Sequence, residues 1–137
     1  MAQTDEQIAR CFPVMRELRP HLVEEEFIAR VRFIERGGFE MAFLEAGGDI
    51  QSVAGFRVLD KFATGRSLYV DDLVTREAAR SQGFGDLLFD WLIETARERG
   101  CVQVELDSGV QRFDAHRFYL RRRMRISSHH FALSVEA

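Results

Sequence analysis

Residues 69–99 constrain the fold of this chain more than any other stretch. They read as a strand, then a polar turn holding Arg80, Ser81, Gln82, Gly83, Phe84 and Gly85, then a long amphipathic helix. Beyond Gly85 the residues Leu87, Leu88, Trp91, Leu92, Thr95 and Ala96 recur at helical spacing, so one face can be buried while Asp90, Glu94, Arg97 and Glu98 stay wet. The helix joins two strand-like runs, residues 67–75 and 101–107, which are therefore expected to lie parallel with the helix crossing one face of the sheet. The opening N–H groups of such a helix lack internal partners and its dipole favours negative charge there. Gly83 and Gly85, having no side chains, would let a phosphate approach the backbone.

The remaining chain supplies a core for that unit. At 137 residues with 46% apolar content, one domain spanning 1–137 is expected. A net charge of −3 argues against a nucleic-acid partner recognised by bulk charge. No apolar run reaches the ~18 residues a membrane span needs. The N-terminus lacks a basic-then-apolar leader pattern, which leads to a cytoplasmic expectation. Cys11 and Cys101 have no metal-ligand neighbours and read as reduced core thiols, and the four histidines lack zinc-site spacing, so no metal is expected.

Residues 4–18 suit an amphipathic helix, with Thr4 and Gln7 forming a capping box and Pro13 expected to kink or break it. A second helix is expected from about Leu22 to Glu35. Residues 39–46 and 50–59 flank Gly47, Gly48 and Asp49, a hairpin signal, and another turn precedes residue 67. Gly100 should close the long helix. Asp114 should cap a short helix reaching about Arg122, and residues 124–135 should return as a final strand through period-two alternation.

Three phosphate-binding patterns compete for the turn. A P-loop needs Gly-Lys-Ser/Thr, and the only lysine, Lys61, is far upstream. A dinucleotide fingerprint needs a third glycine that this chain does not have. The remaining pattern, Arg80-x-x-Gly83-x-Gly85 between strand and helix, resembles the acyl-CoA pyrophosphate loop of the GCN5-related N-acetyltransferases (GNAT family). A second segment carries the same resemblance: Ala115, His116, Arg117, Phe118 and Tyr119, followed by a turn. It implies a mixed α/β fold with a mostly antiparallel sheet that splays apart at its parallel strand pair. It also implies acetyl-CoA as co-substrate. The backbone of Leu73, Val74 and Thr75 would receive the pantetheine arm, and Arg80, Ser81, Gln82, Gly83, Phe84 and Gly85 the pyrophosphate.

The resemblance further implies that an amine attacks the thioester directly in a ternary complex. Tyr119 stands at the family's tyrosine position and would return a proton to the departing thiolate. On the residues alone, Tyr119 reads first as a packing position of an amphipathic helix, and it is the resemblance that makes it the candidate acid. The base stays open among Asp71, Asp72, His129, His130 and water, with Asp72 carried as the candidate. As adjacent strand residues, Asp71 and Asp72 are expected on opposite sheet faces. Arg112 replaces a family asparagine, so that contact is not transferred, and Arg123 stands where the family's turn has glycine, which calls for an unusual backbone conformation. The acceptor is a primary amine, either a small molecule or on a protein, and residues 19–31 and 121–125 occupy the regions that choose it in the family. A homodimer through a terminal strand is a further expectation. The competing reading is a non-catalytic acyl-CoA sensor or partner domain.

Overall fold

The capping box forms as the sequence predicts in the computed structural model, which describes residues 1–136. The Gln7 N–H donates to the Thr4 hydroxyl at 3.1 Å and the Thr4 N–H donates to the Gln7 side chain, opening α1 (Asp5–Leu18). Pro13 does not break this helix, which is continuous through it. Its ring is exposed while Ile8, Cys11, Phe12, Val14 and Met15 around it are buried, so inner-face packing offsets the missing donor and the ring clash. Helix α2 (Glu24–Glu35) starts at Glu24 without a side-chain cap, and its acidic first turn suits the dipole.

Strands β1 (Glu40–Ala46), β2 (Asp49–Lys61), β3 (Gly65–Thr75) and β4 (Gln103–Leu106) form a four-stranded sheet in that order. The β1–β2 and β2–β3 pairs are antiparallel and β3–β4 is parallel, as the crossover helix requires. Gly47 (φ 65°) and Gly48 (φ 84°) occupy the two left-handed positions of the β1–β2 turn, a conformation that costs most other residues.

Helices α1 and α2 bury Ile8, Phe12, Met15, Phe27 and Val31 against Phe39, Met41, Val53 and Val74 on one sheet face. The crossover helix α3 (Phe84–Glu98) packs on the other through Leu88, Phe89, Leu92 and Ala96, and its Trp91 ring meets Phe56 edge-on at 5.7 Å. Its end is a Schellman turn. Gly100 lies at φ 74°, the Cys101 N–H donates to the Ala96 carbonyl, and the Gly100 N–H donates to the Arg97 carbonyl. Cys11 and Cys101 are both free thiols, and burial pushes the Cys11 thiol up to about 12.

Two compact units make up the chain, Met1–Leu106 and the segment from Asp107 onward. The second contains α4 (Phe113–Arg121). Its N-cap is Arg112 rather than Asp114, which instead sits in the first turn and pairs with Arg117 at 2.6 Å. The helix ends in another Schellman turn, with the Arg123 N–H on Leu120 and the Met124 N–H on Tyr119; Arg123 takes the left-handed conformation (φ 66°) that the sequence called for.

The expected final strand is not formed, since residues 124–136 are irregular. Alternation gives a segment the capacity to lie on a sheet, but a strand exists only with a neighbour to complete its ladder. No described strand pairs with this segment. No helix of the described residues is long and apolar enough to cross a membrane.

Candidate functional site

The parallel ladder ends early. β4 pairs with β3 only as far as Val70 opposite Leu106, while β3 stays paired with β2 through Leu73, Val74 and Thr75. Among the described residues no strand pairs with 71–75 on the side away from β2. The peptide groups of Leu73, Val74 and Thr75 on that side therefore present the row of donors and acceptors to which an extended ligand arm can add as a strand.

A bulge stands at the start of this stretch. Gly55 opposes Asp72 and Phe56 opposes Val70, so Asp71 is an extra residue on β3. The expected placement of Asp71 and Asp72 on opposite faces is therefore corrected, because strict alternation fails across a bulge. Arg57 grips the Asp71 carboxylate with Nε at 3.1 Å and Nη2 at 2.6 Å while its guanidinium lies over the Phe39 ring. Asp72 meets the same group of residues. An added Cβ on Gly55 would stand 2.6 Å from the Phe39 ring and 2.7 Å from Asp72 Oδ2, so only glycine leaves room for both.

From the end of α1, Arg19 donates through Nε to Asp72 Oδ1 at 2.8 Å and through Nη2 to the Asp71 carbonyl at 3.0 Å. Burial pushes the Asp72 carboxyl above the ordinary aspartate range, and the Arg19 hydrogen bond and charge oppose that rise. The sequence pointed to Arg19 only as part of the acceptor-choosing region 19–31, and to no role for Arg57, Phe39 or Gly55. A glycine inside a strand-like run was the one available signal, since it marks a bulge or a close approach.

After Thr75 the chain passes through a short 3₁₀ turn (Glu77–Ala79) into the predicted loop. The Arg80 Nε donates to the Thr75 carbonyl at 3.3 Å. Ser81 and Gly83 both take left-handed backbone angles, φ 68° and φ 86°, and Arg80, Ser81, Gln82 and Gly83 are exposed. Gly83 is the N-cap of α3 and no side chain caps it. The first intrahelical bond runs from the Leu87 N–H to the Gly83 carbonyl, so the N–H groups of Phe84, Gly85 and Asp86 are the helix's opening donors. A Cβ on Gly83 would meet nothing within 4 Å, so the space over this turn is open to an anion. Asp86 is the one acidic residue of the first turn.

Tyr119 lies on α4, half-buried, with its ring 5.5 Å from that of Phe118. His129 and His130 fall in the irregular segment, and His130 Nδ1 is 3.5 Å from Asp107 in the same unit.

The model of the acetyltransferase (GNAT) family matches residues 2–123. An N-acetyltransferase of Bacillus subtilis, YhdJ, described as uncharacterised, is 35% identical over 115 residues, covering 83% of this chain and 81% of that protein. Among solved structures, a transcriptional regulator from Bacillus halodurans aligns with a TM-score of 0.85 at 22% identity, covering 98% of this chain and 97% of its own. An aminoglycoside N-acetyltransferase, AAC(6')-Iy, in complex with CoA aligns with a TM-score of 0.86 at 9% identity, covering 98% and 92%.

Proposed function

This chain belongs to the GNAT family and is an N-acetyltransferase with acetyl-CoA as co-substrate, and from that premise we propose that it passes the acetyl group directly to a primary amine in a ternary complex. The observation that carries the reading is the early end of the β3–β4 ladder, which leaves residues 71–75, among the described residues, with no strand partner on the side away from β2, directly ahead of the glycine-capped helix α3. Acetyl-CoA supplies a thioester already activated toward amines. Leu73, Val74 and Thr75 bind its extended arm through main-chain hydrogen bonds. The N–H groups of residues 81–85 receive the pyrophosphate, with the Arg80 guanidinium beside them as a fork for phosphate oxygens.

The residues then need to move only two protons. Asp72 takes one from the attacking amine, directly or through a water, and its raised pKa suits a base working nearer neutrality. A backbone N–H at Leu73 or Val74 donates to the carbonyl oxygen as charge gathers there. Tyr119 gives its phenolic proton to the CoA sulfur as the carbon–sulfur bond breaks, and the new carbon–nitrogen bond leaves an amide. Support for Tyr119 is its position on α4, which matches the family's tyrosine. The acceptor is a small-molecule or protein amine, the chain acts as one catalytic domain in the cytoplasm without nucleic acid, and it pairs as a homodimer.

Calorimetry with acetyl-CoA and CoA, followed by thiol release on a panel of polyamines, aminoglycosides, amino acids and lysine peptides, tests this reading. Binding with amine-dependent thiol release is the expected result. Binding without release on any amine would instead identify an acyl-CoA sensor, and no binding would remove both.

A further inference from the structure

We infer that Arg19, the residue that closes α1, is a positioning residue that holds the β3 bulge and the Asp72 carboxylate in one grip, and so ties the α1–α2 connection to the reaction centre. The inference rests on the assignment of Asp72 as the base.

The geometry is two-armed. Nε of Arg19 holds Asp72 Oδ1 at 2.8 Å, and Nη2 of the same guanidinium holds the carbonyl of Asp71, the extra residue of the bulge, at 3.0 Å. A bulge is a local irregularity in the ladder, and the strand there keeps its shape only while outside partners fix it. A planar guanidinium can bond a carboxylate and a carbonyl in one rigid arrangement, whereas the single ammonium of lysine cannot fix both at once. The Asp72 side chain is 16% exposed and that of Arg19 42%. The carboxylate is thus enclosed while its partner reaches it from the solvent side.

Each element around Asp72 contributes a definite group. Arg19 comes from the end of α1, Asp71 from β3 itself and Arg57 from β2, while Phe39, the residue just ahead of β1, adds its ring. Arg57 is already engaged in both its bonds to Asp71. That leaves Arg19 as the cation bonded to Asp72, working against the burial that favours the neutral acid and the repulsion from Asp71. Without Arg19 the carboxyl would keep its proton to higher pH and lose its aim. A base that is protonated at the working pH cannot accept the amine's proton.

Carboxyl-detected NMR titration of Asp72 in the wild type, Arg19→Met and Arg19→Lys, alongside the pH profile of kcat/KM, separates this from a plain structural ion pair. In Arg19→Met the Asp72 midpoint should rise, and the acid limb of kcat/KM should rise with it. The resulting loss should be roughly tenfold on the acid side and should recover as pH increases. Arg19→Lys should restore most of the midpoint but not the full rate, because the Asp71 carbonyl loses its partner. An unmoved midpoint in Arg19→Met, or a uniform loss at all pH values accompanied only by a lower Tm, would overturn the inference. The NMR arm needs no turnover. If Asp72→Asn kept full activity, the assignment of the base would fail, while the titration would still report whether Arg19 holds the carboxylate ionised.

Discussion

Tyr119 carries the most specific claim made of any side chain. Removing its hydroxyl as Tyr119→Phe should lower kcat by about 10²-fold, the scale of a lost general acid, and abolish the alkaline limb of the rate profile. Stopped-flow thiol detection across pH 6–10 would check this, and an unchanged limb would exclude Tyr119 as the acid. Arg123 is a different kind of residue, in a place where only the backbone matters. Held at φ 66° at the end of α4, it sits in the region that favours glycine. Arg123→Gly should therefore stabilise the protein by about 1 kcal/mol, read as a rise in chemical-denaturation midpoint without a change in slope. Cys11 gives a prediction with a definite sign. Burial holds its thiol neutral up to about 12, whereas the same thiol in the unfolded chain ionises in the ordinary range. The unfolded state then binds fewer protons, so stability falls as pH climbs from that range toward 12, by roughly 1.4 kcal/mol per unit. Cys11→Ala should lack this component of the slope in urea titrations at stepped pH.

At the scale of elements, the glycine-capped start of α3 is the feature to test. Gly83→Val forces a β-branched residue into φ 86° and places its side chain in the space open to an anion. Acetyl-CoA affinity should fall at least about tenfold by calorimetry while far-UV circular dichroism stays native, and an unaltered affinity would remove the pyrophosphate assignment. The helices and hairpins were legible in the sequence because local rules specify them: Thr4 with Gln7, Gly47 with Gly48, and Gly100 after the last turn of α3. The break expected at Pro13 and the cap expected at Asp114 are not formed. Local propensity set an expectation that packing overrode at Pro13, and at Asp114 the cap fell two residues earlier, on Arg112.

For the whole molecule, the segment after α4 holds the main departure from expectation. Ile126, Phe131, Leu133 and Val135 are each more than three-quarters exposed, with Phe131 at 91%, which is far more apolar surface than a terminal segment ordinarily shows to water. The proposed homodimer would cover it. Phe131→Glu with Leu133→Glu should shift the species seen by analytical ultracentrifugation from dimer to monomer, and a wild type that is already monomeric at micromolar concentration would end that proposal. The linear order of residues determined by itself the capping of α1, the glycine close of α3 and the glycine turn ahead of it, because each depends on neighbours a few positions apart, and it determined the parallel β3–β4 pair because a helix joining two strands of one sheet must cross over. Only the tertiary structure decided that β4 stops at Leu106, that Asp71 bulges, and that Arg19, Phe39, Gly55 and Arg57 converge on Asp72. Those contacts join residues that are distant along the chain, and which distant groups meet is settled by how the faces pack together.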